Sequence, residues 1–402
     1  MPLTNYAFAD LITFTRSTTA TFVGSNGLIQ SAAINAPRFD FSPVTLAPLG
    51  LLIEEQRVNS ALYSEQFDNA VYIKVRSSIT ANATTSPDGT ATADKLVEDT
   101  TVLSTHLIQL QGGFSSFVSG TTYVISGYAK VGERTSASIS MGTDAGVFAG
   151  QSANFDFSTG AISAQSGVAT FAMTNAGNGW YRWSIAATAA ASGAGAIRFS
   201  IIGPLGSTTY TGDGTSGLFL WGNQIEAGAF PTSYIPTVAS TVTRAGDVAV
   251  MTGTAFSNWF NASEGTIVSE TAIYSTAARN SAAYDINDTT GNNRIIYRTI
   301  TTTSTDQNVI RSGGALIASL VSGVAVTTSP RKAAVAYRAS DFALVVNGST
   351  PTAQLSGAVP VSVTQMQLGL AVGPSEWING HLRRITYYPT RLTDAQLQAL
   401  TT

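Results

Sequence analysis

Short runs in which apolar and polar residues alternate, each closed by a Gly- or Asn-bearing turn, recur along this chain. Thr121-Thr122-Tyr123-Val124-Ile125-Ser126-Gly127-Tyr128-Ala129 is one, and Ala153-Asn154-Phe155-Asp156-Phe157 before the turn Ser158-Thr159-Gly160 is another. Trp180-Tyr181-Arg182-Trp183-Ser184-Ile185 follows the turn Asn178-Gly179, and Gly217-Leu218-Phe219-Leu220-Trp221-Gly222 repeats the habit. A period of two sends successive side chains to opposite faces of a sheet, so these runs predict strands. Composition agrees. Charged residues make up 11% of the 402, against about 25% in ordinary soluble domains. Thr and Ser wet the surface instead, and the branched Thr side chain suits a pleated strand better than a helix. The fold class expected is all-β.

Three parts are expected. Residues 1–55 hold short strands and turns punctuated by Pro37, Pro43 and Pro48, with Leu49-Gly50-Leu51-Leu52-Ile53-Glu54-Glu55 as a buried strand. This segment is too small for its own core and is expected to dock on a later domain or on another protein. Residues 56–240 carry many evenly spaced strands, the pattern of a jelly-roll sandwich. Ala186 to Gly195 is rich in small residues and reads as a hairpin or loop, because Gly interrupts a helix. Pro231, Pro236 and a Ser/Thr cluster mark a connection, after which residues 241–402 form a second β set. There Lys332–Tyr337 and Phe342–Gly348 read as neighbouring strands turned by Arg338-Ala339-Ser340-Asp341. Only the end looks helical: Thr393 as N-cap with Gln396 three residues on is a capping box, and Leu392 with Leu397 is the matching staple over about Asp394–Leu400.

Several function classes are disfavoured. The formal net charge is −3 with no basic block, so no nucleic-acid partner is expected. No cysteine is present, and the two histidines, His106 and His381, lie far apart, which argues against thiolate or multi-His metal sites. No run of about 18 apolar residues exists, so no membrane insertion is expected. Met1-Pro2-Leu3-Thr4-Asn5 lacks the basic and apolar regions of a signal peptide. Glycoside hydrolysis needs two carboxyl groups about 5–10 Å apart. Glu54 and Glu55 would point to opposite faces of a strand, and Glu133, Asp156, Asp213 and Glu226 are scattered. No enzyme is expected.

Certain segments resemble bacteriophage virion-surface proteins: Phe14-Thr15-Arg16-Ser17-Thr18-Thr19-Ala20-Thr21-Phe22, Asn26-Gly27-Leu28-Ile29, Pro37-Arg38-Phe39-Asp40 and Gly50–Asn59. Gly179–Trp183, Trp221–Gly228 and Pro231–Thr237 resemble a carbohydrate-binding-module-like jelly roll. Leu344–Gly348, Asn379–Tyr388 and Arg391–Leu397 are similar to concanavalin A-like, or laminin-G-like, sandwiches. The resemblance implies a tail or head fibre or spike made in the host cytoplasm and carried on the virion surface. Its partners would be other virion proteins through residues 1–55, host-surface polysaccharide, and itself as a homo-oligomer. Trimers are common among fibres, though no coiled coil here enforces one. The alternatives are a purely structural decoration or spacer, and a glycan-processing enzyme.

Sugar stacking needs an exposed aromatic ring with hydrogen-bonding groups beside it. Alternation places Trp180 and Arg182 on one face and Tyr181 and Trp183 on the other, so at least one of these aromatics must be core. Trp377, in the polar segment Gly373-Pro374-Ser375-Glu376, is the best single candidate, followed by Tyr181, Trp183 and Arg182. Trp221 reads as core and Trp259 as a residue of the interdomain seam. Asp285, Asn287 and Asp288 place oxygen ligands closely enough to suggest a calcium loop, although Asn and Asp are also ordinary turn formers. Tyr210–Thr215 has the same ambiguity.

Overall fold

In Ser136–Met141 and Gln151–Asp156 every second residue is buried, and each strand turns its apolar side toward a common core. The computed structural model describes residues 6–113, 116–142, 146–276, 280–300, 302–373 and 376–402. Met1–Asn5 and the Pro374-Ser375 pair beside Trp377 lie outside these. The architecture is all-β, built as two antiparallel sandwiches.

The first sandwich pairs two six-stranded sheets. One runs Ala161–Ser166, Gln151–Asp156, Ser136–Met141, Ile197–Ile201, Leu107–Gln109, Ile73–Val75. The other runs Thr170–Asn175, Trp180–Thr188, Thr122–Val131, Gly217–Ala227, Ala93–Glu98, Ser77–Thr84. Leu96, Ile108, Ile125, Phe155, Trp183 and Phe199 meet between them. On the outer face of the second sheet, Trp180, Trp221 and Tyr128 form another apolar cluster, roofed by Tyr234. The Pro231–Pro236 connection is therefore packed against this sandwich, with Tyr234 3% exposed.

The second sandwich pairs two seven-stranded sheets, and the opening segment is built into both. Thr13–Thr15 pairs with Val248–Thr252 at the edge of one. Pro48–Ile53 pairs with Gly380–Tyr388 in the other, and Phe39–Phe41 pairs with Pro48–Ile53 outside it. Ile12, Phe14, Leu51 and Ile53 belong to the same core as Ile267, Tyr284, Val335 and Leu344. Arg331–Arg338 and Phe342–Val346 are direct neighbours, with Ala334 opposite Val345.

The C-terminal helix spans Asp394–Thr401, and the expected capping box is present. Gln396 Oε1 accepts from Thr393 N at 2.8 Å. Leu397 is buried on Ala334, Ala336, Ala343 and Val345, with Leu392 beside it. Two further helices, Phe8–Leu11 and Gly253–Ser257, were not expected; four or five residues are too few to show a helical period. Among the described residues no helix is long and apolar enough to cross a membrane.

Candidate functional site

The two sandwiches meet around a hub of buried charge. Arg16 Nη1 lies 3.0 Å from Asp247 Oδ1, and Arg38 Nη1 lies 2.8 Å from Glu54 Oε2. Arg38 Nη2 donates to Asp247 Oδ2, so one guanidinium bridges both carboxylates. Arg244 Nη1 stands 3.4 Å from Glu54. Ser233 donates to Glu54 twice, from its backbone N–H and its hydroxyl, each at 2.7 Å. These side chains come from the opening segment, from the Pro231–Pro236 stretch on the first sandwich, and from the segment entering the second. Burial opposes ionisation of Glu54, but Arg244 and Arg38 and the two Ser233 bonds outweigh it and hold the carboxyl well below the usual carboxylate range. Burial likewise works against the Arg38 charge, and Glu54 and Asp247 more than restore it.

Directly in front of this hub a cleft of about 510 Å³ opens between the sandwiches. Its walls are Glu55, Gln56 and Arg57 from the linker, Thr121, Thr122 and Ala227–Phe230 from the first sandwich, and Trp377 and Asn379 from the second. The hub holds the Trp377 and Glu55 walls. Trp377 Nε1 donates to the Asp247 carbonyl at 3.0 Å, and Asn379 Oδ1 accepts from Glu55 N at 2.9 Å. Arg244 Nη2 donates to the Glu55 carbonyl at 2.8 Å. The Trp377 ring rests on Gly246, where a β-carbon would come within 3.2 Å of it. Arg57 lies over the Phe230 ring at 5.0 Å, donates Nη1 to the Ala227 carbonyl, and pairs with Glu55 Oε1 at 2.6 Å. A β-carbon at Gly228 would run into its guanidinium. Arg57 Nε is buried without a protein partner.

Of the four residues singled out for sugar contact, the cleft contains Trp377, half-buried with its ring at the wall. Trp183 is corrected to core: at 2% exposure it presents no face to a ligand, because its side of the strand faces the opposing sheet. Tyr181 shares that side at the rim of the same core and lies against Gly160. Arg182, on the other face, donates to the Thr232 carbonyl at 2.7 Å and covers Tyr128 at 5.5 Å; it props up the connection. Trp221 is core as expected, its N–H satisfied by Thr92 at 3.1 Å. Trp259 is not at the seam; it packs on Tyr387 and Phe256 in the second sandwich.

The calcium reading is also corrected. Asp285 and Asn287 sit in the buried strand Ser281–Asn287. Asp285 is held bidentately by Arg294, at 2.7 and 3.2 Å. Asn287 is bonded to Gln365 and Gln367. Asp288 caps its own turn through Thr290 and Asn293. Asp213 in the second candidate loop is likewise consumed by Thr215 and Ser216, whose bonds hold it well below the usual range. Among the described residues no group of three or more His, Asp or Glu is placed to hold a metal ion. The scattered carboxylates have separate structural partners: Glu133 pairs with Lys95 and Glu226 is bonded to Thr232 and Gln224.

No protein-family model matches the chain, and no curated protein sequence does. Among solved structures, it is similar to the Ruminococcus gnavus IT-sialidase CBM40, at 20% identity over 35% of this chain and 84% of that one, with a TM-score of 0.31. It is also similar to the heptameric SAP-like pentraxin of Limulus polyphemus, at 11% identity over 35% and 70%, TM-score 0.29. The mouse laminin α1 chain domains LG4-5 match at 10% identity over 73% and 88%, TM-score 0.27.

Proposed function

We propose that this chain is a virion-surface protein that binds host-surface polysaccharide reversibly in the cleft between its two sandwiches. The observation that carries the reading is the composition of that cleft. An indole, a paired carboxylate and guanidinium, two amides and two threonines converge on an open cavity of about 510 Å³. This is the combination a sugar ring needs: an apolar surface for its C–H face and fixed donors and acceptors for its hydroxyls. The virion assignment is supported by the resemblance of the opening segments. Residues 1–55 are the proposed hold on other virion proteins, and Ile34, Val44 and Leu46 on that segment are exposed apolar side chains. Weak single-site binding would gain from several copies on one particle, which favours a homo-oligomer.

Binding of the purified protein to intact host cells, with and without enzymatic removal of their polysaccharide, tests the proposal. Binding should vanish with the polysaccharide, and Trp377→Ala should weaken it by at least about tenfold, the loss of one stacking contact of roughly 1.5 kcal/mol. No binding in either case would point instead to the structural-appendage reading, and binding unchanged by polysaccharide removal would overturn the polysaccharide as the receptor.

A further inference from the structure

The two charged side chains in the cleft wall are already engaged with each other, and this bears on the class of saccharide. Building on the glycan-binding reading, we infer that the cleft takes an uncharged pyranose through neighbouring hydroxyls and rejects uronic and other acidic sugars. An arginine recognises a carboxylate best through two parallel N–H groups on one edge of its fork. Both terminal nitrogens of Arg57 are already engaged. Nη2 faces Glu55 Oε1 at 2.6 Å, and Nη1 donates to the Ala227 carbonyl. The guanidinium cannot turn to expose another edge, because Phe230 lies 5.0 Å beneath it and Gly228 is packed against it. Nε is buried without a protein partner and is closed to a ligand.

A second carboxylate brought here would stand beside that of Glu55, and like charges held close repel strongly where water is partly excluded. A hydroxyl meets neither difficulty. It donates to the Glu55 carboxylate, and an adjacent hydroxyl has Thr121, Thr122 or the exposed Gln56 amide within the same wall. Among the described residues no third charged side chain lines the cleft. Arg244 behind it is 1% exposed and turned to the Glu55 carbonyl and Glu54.

The test is an array of neutral and acidic oligosaccharides probed with the full chain, followed by surface plasmon resonance on the strongest ligand. Neutral glycans should bind. Glu55→Gln should weaken them about tenfold, through loss of a charged acceptor, with circular dichroism unchanged and a small fall in melting temperature as Arg57 loses its carboxylate. Gln56→Ala, on the exposed rim, should weaken the same ligand about threefold, one neutral hydrogen bond. Signal confined to acidic glycans, with tighter binding by Glu55→Gln, would overturn the charge assignment and leave the cleft as a glycan site. Neutral binding indifferent to Glu55→Gln would also overturn it. Silence across the array would remove the glycan-binding reading itself.

Discussion

Arg38 has no exposure to water, yet its charge is held by two carboxylates and by the Thr21 carbonyl at 2.9 Å. Truncating one member of such a network strands the others as buried, unpaired charges. Arg38→Ala should therefore cost about 3–5 kcal/mol, read as a lower urea midpoint at unchanged slope. Glu54 adds a pH signature. Its folded pKa is depressed, so its contribution is full above the unfolded value of about 4.3 and fades as pH falls below that. The stability gap between the natural protein and Glu54→Gln should be widest near neutral pH and shrink toward pH 3. A gap that widened on acidification would contradict this assignment. Asp285 works in the opposite sense: burial outweighs Arg294 and raises its pKa, so the comparison must be made within the Glu54 pair.

At the scale of elements, Trp180–Thr188 shows how far alternation carries. The strand was legible, and so was the division of its side chains between two faces. That both faces are covered was not, because the second cover is Tyr234, more than fifty residues further on. Trp183→Ala should cost about 3–5 kcal/mol by leaving a cavity between the sheets, measured by thermal or urea unfolding. The C-terminal helix was fully legible, since its cap and staple lie within ten residues. Thr393→Ala should lower stability by about 1 kcal/mol, and Thr393→Ser should restore most of it. Asp285 shows the reverse case. Asp, Asn and Asp in close succession look like a loop, yet the first two are strand residues whose polar groups are met by Arg294, Gln365 and Gln367.

Over the whole molecule, the chain's beginning and end are interlocked. Pro48–Ile53 lies beside Gly380–Tyr388, and Thr13–Thr15 beside Val248–Thr252. Residues 56–402 expressed without the opening segment should lack a cooperative unfolding transition for the second sandwich, because three strands and part of its core would be missing. Co-expression with residues 1–55 as a separate chain should recover it in part. Independent folding of residues 56–402 would show these strands to be dispensable additions.

Local order determined a good deal here. Alternation with a period of two marks strands wherever one side must face a core, Gly and Asn mark the turns, and a capping box ends the chain, all from interactions within a few residues. Hairpin neighbours such as Lys332–Tyr337 and Phe342–Gly348 were legible, but the pairing of strands far apart in sequence, the burial of Arg16, Arg38, Glu54 and Asp247, and the cleft were decided only by tertiary structure. The cleft walls come from residues 55–57, 121–122, 227–230, 377 and 379, and apart from Trp377 none is marked by its immediate neighbours. Periodicity states which face of a strand is apolar but carries no information about what will be packed against it. Trp377 was picked out by its chemistry; Glu55 and Arg57 acquire a role only because folding brings Phe230, Asn379 and the hub to them.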